Sequence, residues 1–367
     1  MSSSDSKLFA PFKLGHLALQ HRIALAPLTR CRANDMHEHT DLAVEYYGQR
    51  ASTPGTLMIT EGTFISSRAG GYPNVPGIWS EAQIAAWNKV TDAVHAKGSF
   101  IVLQLWALGR AAMPDVLKAE GQDYVGPSAI PMNEGWPVPR PLTVEEIREY
   151  VKDYATAADN AVNKAGFDGV EIHGANGYLI DQFTQSASNN RTDEYGGSVE
   201  NRLRFVKEVV EAVTAAVGQE RTGIRFSPWS KFNSMRSENP VPTFSALITH
   251  LRDTYGKLAY IHVIEPRIGG DNDESDSAQE RESNAFAHEI WGDRPILVAG
   301  GYTRETALKA TEKDNVIVTF GRNFLANPDL PARLKDNLKL NAYNRATFYT
   351  PGPVGYVDYP TSEGKTS

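Results

Sequence analysis

Two textures alternate along the chain. Short apolar runs recur as "RIALAP" (22–27), "LMITEG" (57–62), "FIVLQLW" (100–106), "GVEIH" (169–173), "TGIRFS" (222–227), "YIHVIE" (260–265), "PILVAG" (295–300) and "VIVTFG" (316–321). Between them lie stretches with helical spacing. In one, Ile147, Val151, Tyr154, Ala158 and Val162 recur every three or four residues and give one apolar face. Ser80 with Gln83, and Thr143 with Glu146, read as capping boxes, while Gly98 and Gly166 stand where those helices should stop. Continuous apolar strands separated by amphipathic helices predict a parallel sheet covered by helices. Eight such units favour closure into a (β/α)₈ TIM barrel, a single α/β domain over 1–367. An open doubly wound sheet would carry a G-x-G-x-x-G fingerprint after its first strand, and none is present. Ahead of the first unit, "FKLGHLALQHRI" (12–23) reads as a hairpin turning at Gly15 and capping the barrel bottom. Two connections are long, 107–142 after the third strand and 266–284 after the sixth. Long loops are commonly lids or binding loops, but the polar stretch "GGDNDESDSAQE" (269–280) reads as solvated surface.

Strand side chains two apart share a face. Gln104 and Trp106 therefore point the same way on the third strand, Glu171 and His173 on the fourth, Arg225 and Ser227 on the fifth. Thr29 and Gly62 follow at the ends of the first and second. One lone histidine would be an ordinary core residue satisfied by a hydrogen bond. Five strands delivering polar groups or bare backbone to one barrel mouth make a ligand site, because burying an amide, an imidazole and a guanidinium is costly without partners. The last two strands end in "AGGYT" (299–303) and "FGRNF" (320–324). In a barrel these ends often cradle a phosphate with backbone N–H groups, to which Arg322 could add a bidentate pair. A phosphate at one side of a polar mouth suggests a flat, phosphorylated cofactor, and flavin mononucleotide (FMN) fits. Gln104 could meet its pyrimidine edge, Arg225 could stabilise negative charge on the reduced ring, and Thr29 and Gly62 could contact its far oxygen.

Composition narrows the setting. Over 367 residues the formal net charge of -7 argues against nucleic-acid or anionic-membrane partners. One cysteine, Cys31, excludes an internal disulfide framework and suits a reducing compartment. No apolar leader or membrane-length run is present, so a cytoplasmic protein with a small-molecule substrate is expected, as monomer or homodimer. A metal at His173 and Asn176 is disfavoured, since asparagine is a weak ligand and no further ligand has suitable spacing.

Taken together, the motifs resemble the old yellow enzymes, FMN-dependent ene-reductases on a (β/α)₈ barrel. The likeness runs through "APLTRCRA" (26–33), "LQLWALGRAA" (103–112), "GVEIHGANGYL" (169–179), "NNRTDEYGGSVENR" (189–202), "FSPWSKFNSM" (226–235), "AGGYT", "FGRNFLANPDL" (320–330) and "GPVGYVDYP" (352–360). The resemblance implies tight, non-covalent FMN bound by Pro27, Thr29, Gly62, Gln104, Arg225, Gly300, Gly301, Gly321 and Arg322. It implies NADPH, or NADH, as reductant in a ping-pong cycle in which hydride passes from flavin N5 to an α,β-unsaturated aldehyde, ketone or nitroalkene. His173 and Asn176 would hold the substrate oxygen, Tyr178 would supply the proton, and Trp106, Phe232, Phe286 and Tyr349 would shape the pocket. The His/Asn pair is that of the yeast and fungal branch, whereas plant oxophytodienoate reductases carry His/His. Thr29 stands where one bacterial branch has a flavin-tuning cysteine, and Cys31, two residues on, reads as an ordinary thiol. Some fungal ergot-alkaloid relatives lose the tyrosine and become isomerases; Tyr178 favours reduction. The alternatives are a fungal secondary-metabolism reductase or isomerase dedicated to one enal, and a flavin- or phenol-binding protein without turnover. Glu171 and the 189–202 stretch read as structural, with Ser198 starting a helix.

Overall fold

All eight apolar runs form strands, and the strands close on one another. In the computed structural model, which describes residues 6–270, 272–273 and 282–363, the barrel strands are β1 (Ile23–Leu25), β2 (Leu57–Phe64), β3 (Phe100–Trp106), β4 (Gly169–Gly174), β5 (Thr222–Phe226), β6 (Tyr260–Ile264), β7 (Ile296–Ala299) and β8 (Val316–Phe320). Each pairs in parallel with its sequence neighbours, and β8 pairs with β1 to complete the ring. The main covering helices are α1 (Asp41–Arg50), α2 (Glu81–His95), α3 (Val144–Asp159), α4 (Arg204–Val217), α5 (Val241–Thr254), α6 (Ala285–Trp291), α7 (Arg304–Ala310) and α8 (Leu330–Asp336). Both capping boxes are made: Ser80 and Thr143 accept from the third backbone amide of α2 and α3, and Gln83 and Glu146 reach back. Gly98 and Gly166 lie at left-handed φ just beyond those helices, where a side chain would be strained. Ser198 caps the short helix Val199–Arg202. Among the described residues no helix is long and apolar enough to cross a membrane.

The barrel interior is stacked in layers. At the bottom, the hairpin Phe12–Leu14 and Leu17–Leu19 inserts Leu14, Leu17 and Leu19 against Ala24, Leu57, Ile59, Val102, Tyr260, Leu297 and Ile317. This apolar plug closes the end opposite the polar residues. Gly223, inward on β5, leaves room for the Tyr260 ring; a Cβ there would sit 2.3 Å from it. The ring is buried and cannot swing away, so Gly223→Ala should overpack the plug and lower unfolding stability by about 1–3 kcal/mol, read as a lower urea midpoint at unchanged slope.

Strand β2 breaks the two-residue alternation. Its register with β3 shifts between Ile59 and Gly62, so a bulge turns Gly62, and not Glu61, toward the interior. The loop 107–142 carries a helix, Pro114–Ala119, and a two-stranded pair, Val125–Gly126 with Arg140–Pro141. Of the acidic loop after β6, residues 271 and 274–281 lie outside the described residues, so its solvated reading falls there.

Candidate active site

Above the plug, the strand ends open into a cavity of about 770 Å³, the size of a site for a cofactor with a substrate. Its lining includes every residue expected to bind the cofactor: Pro27, Thr29, Gly62, Gln104, Arg225, Gly300, Gly301, Gly321 and Arg322. His173, Asn176, Tyr178, Trp106, Phe232 and Tyr349 line it too. Phe286 does not. It lies on α6, half-buried and packed against the apolar layer outside the barrel wall, where a helix residue cannot reach the mouth.

His173 stands at the top of β4. The backbone N–H of Ala175 donates to its Nδ1 at 3.3 Å, so that nitrogen is an acceptor and the ring proton sits on Nε2. Burial first, then Arg225 and His262, push its pKa well below the ordinary value. The ring is therefore a neutral, fixed donor. It stacks on Trp106 at 6.0 Å between centroids and meets Tyr178 edge-on at 5.0 Å, while Tyr178 stands perpendicular to Trp106 at 4.8 Å.

The turn after β4 is tightly specified. Asn176 and Gly177 both take left-handed φ, of 57° and 71°, and asparagine and glycine are the residues that tolerate this. Ser227 Oγ accepts from the Asn176 N–H at 2.7 Å, Asn233 Nδ2 donates to its carbonyl at 3.0 Å, and Asp181 accepts from the Gly177 N–H at 2.9 Å. Ser227 is thus a brace for Asn176. The Asn176 side chain lines the cavity, and its Oδ1 is buried with no partner among the described residues, so that end of the amide is open to a donor from a ligand. Tyr178 begins the short helix Leu179–Thr184. Burial, reinforced by Tyr72 and Tyr349, pushes its phenol well above the ordinary value. At neutral pH it carries its proton.

The floor and rim match a flavin nucleotide. Arg225 is buried, and its Nε has no partner among the described residues. A buried guanidinium left this way calls for an acceptor or an anion from a ligand. Gln104 gives its Nε2 to Glu171 at 2.8 Å and so keeps its carbonyl as the free acceptor. Gly62 leaves the Trp106 face uncovered, since a Cβ would come within 2.5 Å of that ring. At the β7 end, Gly300 and Gly301 take φ of 121° and 61°, which lets the backbone face a phosphate closely. Arg322, beside Gly321 at the start of the helix Arg322–Ala326, stacks over Tyr343 at 5.4 Å. Cys31 also lines the cavity, with its thiol pushed up to about 11 by burial, then by Glu61.

Several residues to which the sequence motifs gave no role complete the site. Arg30 donates to the carbonyls of Phe348 and Gly355 at 3.1 and 2.8 Å, and Arg32 donates to those of Gly352 and Val354 at 2.8 and 3.0 Å. These two clamp the C-terminal segment so that Tyr349 reaches the rim. Arg110, buried in the loop after β3, donates to the Pro131 and Ser234 carbonyls at 3.2 Å each and ties two rim loops together. No periodicity marks such arginines. Tyr72 and Met113 enter the mouth from loops.

Residues 7–341 match the family model described as NADH:flavin oxidoreductase / NADH oxidase. The chain belongs to this family. Members with solved structures include an old yellow enzyme from a Pichia species, similar at 38% identity and a TM-score of 0.90 over 98% of this chain and 94% of that one. An NADP-dependent oxidoreductase of Aspergillus flavus is 50% identical over 98% of this chain and 97% of its own length. A chanoclavine-I aldehyde reductase of Penicillium roqueforti is 52% identical, covering 97% of each. As an old yellow enzyme-type flavin oxidoreductase the chain uses FMN, in agreement with the buried unpartnered guanidinium and the glycine-lined ends of β7 and β8.

Proposed function

We propose that the chain is an NADPH-dependent ene-reductase, with an α,β-unsaturated aldehyde as its substrate. The observation that carries this reading is the mutual contact of the His173, Tyr178 and Trp106 rings in the cavity that Asn176 also lines: a neutral imidazole and an amide beside a protonated phenol. When bound, FMN would supply the hydride chemistry, with NADPH as reductant and the alkene β-carbon as acceptor. His173 Nε2–H and the Asn176 amide hold the aldehyde oxygen, on which negative charge develops. Such donors are already aimed before the reaction and are worth about 3 kcal/mol each in other enzymes. The enolate's α-carbon then takes the Tyr178 proton; a phenol is a weak acid in water, but an enolate carbon is basic enough to remove its proton. Gln104, Arg225 and Thr29 would hold the flavin ring, and Gly300, Gly301, Gly321 and Arg322 its phosphate. Tyr72, Phe232 and Tyr349 with Trp106 give the mouth an aromatic lining suited to a flat, apolar enal.

The Penicillium relative's name, an aldehyde reductase, supports the aldehyde over the ketone or nitro group and a dedicated enal reductase over a generalist. Product analysis after anaerobic turnover tests both points. A panel of enals, enones and nitroalkenes should show saturated aldehydes formed fastest. An isomerised but unreduced product, or a nitroalkane as the dominant product, would contradict the assignment.

A further inference from the structure

Below the cavity, with Thr319 reaching its lining, lies a second polar layer that none of the roles above uses. Glu171, His262 and Thr319 project inward from β4, β6 and β8 and are buried. Glu171 accepts from Gln104 Nε2 with one oxygen and meets His262 Nδ1 at 2.8 Å with the other. His262 Nε2 lies 3.1 Å from Thr319 Oγ1. The Thr319 hydroxyl donates its one proton to the Val298 carbonyl at 3.0 Å, and a carbonyl can only accept. With that proton committed to Val298, the Thr319 oxygen is placed to accept from His262 Nε2–H. The Nδ1–carboxylate contact then holds one more proton. In that arrangement, whether the proton sits on the ring or on the carboxyl, Glu171 and His262 together carry no net charge.

Arg225 stands between them in register, opposite both His173 and His262 on the neighbouring strands. Glu171 is close enough to act on its guanidinium electrostatically, yet no salt bridge joins the two among the described residues, and the Arg225 Nε has no partner there. A lone carboxylate at that place would be its counter-ion. We propose that His262 neutralises Glu171 and so reserves the positive charge of Arg225 for the negative charge that the flavin gains on reduction. His262 is a positioning residue: it touches neither cofactor nor substrate and acts through the charge balance of the floor. The same layer fixes Gln104, because a carboxylate only accepts and so holds the amide with its carbonyl oxygen turned away from Glu171. This inference rests on the reading of Arg225 as the flavin's partner.

The test is the redox equilibrium of the FMN-loaded protein against a reference dye, read from their visible spectra. His262→Gln keeps a donor for Glu171 but removes the compensating proton. It should shift the equilibrium about tenfold toward oxidised flavin, equal to about 30 mV for a two-electron couple. The double variant with Glu171→Gln removes both members of the pair and should return to within about twofold of wild type, since distant charge is then unchanged. Glu171→Gln alone should also stay within about twofold, because a neutral pair gives Arg225 nothing to lose. A tenfold shift toward reduced flavin in Glu171→Gln would make Glu171 the counter-ion of Arg225 and overturn the proposal. An unchanged equilibrium in FMN-loaded His262→Gln would overturn it as well. If His262→Gln does not retain FMN, Glu171→Gln decides alone. Wild-type protein that purifies without flavin would instead defeat the reading of Arg225, a different failure.

Discussion

Tyr178→Phe is expected to slow reoxidation of the reduced enzyme by an enal about 10²–10⁴-fold, the usual worth of a positioned general acid. Bleaching of the flavin by NADPH should stay near the wild-type rate. The phenol hydroxyl is buried against Tyr72 and Asn233 and its pKa is raised, so the group serves as a proton donor and has no part in hydride delivery to the flavin. The substitution leaves the ring packed on Trp106, and the cavity keeps its shape. Stopped-flow spectra of the two half-reactions separate the cases. Equal slowing of both would remove Tyr178 from the role assigned to it and make it a packing residue.

His173→Ala is expected to lower kcat/KM for an enal about 10²–10³-fold, the cost of losing one donor to a developing oxyanion. The fall should appear in kcat, because the interaction strengthens as negative charge grows on the oxygen. A rise in KM with kcat unchanged would mean that His173 binds the aldehyde equally in ground and transition states. His173 is neutral through burial first and through the neighbouring charge of Arg225 second. Its contribution should therefore show no titration near neutrality, and kcat should be flat across the range where an ordinary histidine changes charge.

The periodic part of the structure was legible in the sequence. Eight apolar runs became eight parallel strands, and both capping boxes were made because each depends on residues three apart. Strand alternation placed Gln104, His173 and Arg225 in the mouth for the same local reason. It would also have found His262 and Thr319, which share faces with Tyr260 and Gly321 along their strands. Alternation failed at β2, where a bulge turned Gly62 inward in place of Glu61; such a slip depends on pairing with β3 and leaves no trace in spacing. Phe286 was misplaced because a resemblance in that stretch carries no strand to fix its direction, and it lies on the outward helix α6. The arginine clamps on the C-terminal segment were invisible for another reason. Arg30 and Arg32 bond backbone carbonyls more than 300 residues away in sequence, and a carbonyl acceptor can belong to any residue type.

The most direct test of the account is an anaerobic visible titration of the purified protein. It should be yellow, release FMN on denaturation, bleach with NADPH and regain its colour when an α,β-unsaturated aldehyde is added, with one saturated aldehyde formed per flavin. A flavin that bleaches with NADPH and stays bleached in the presence of enals, enones and nitroalkenes would contradict alkene reduction at this site.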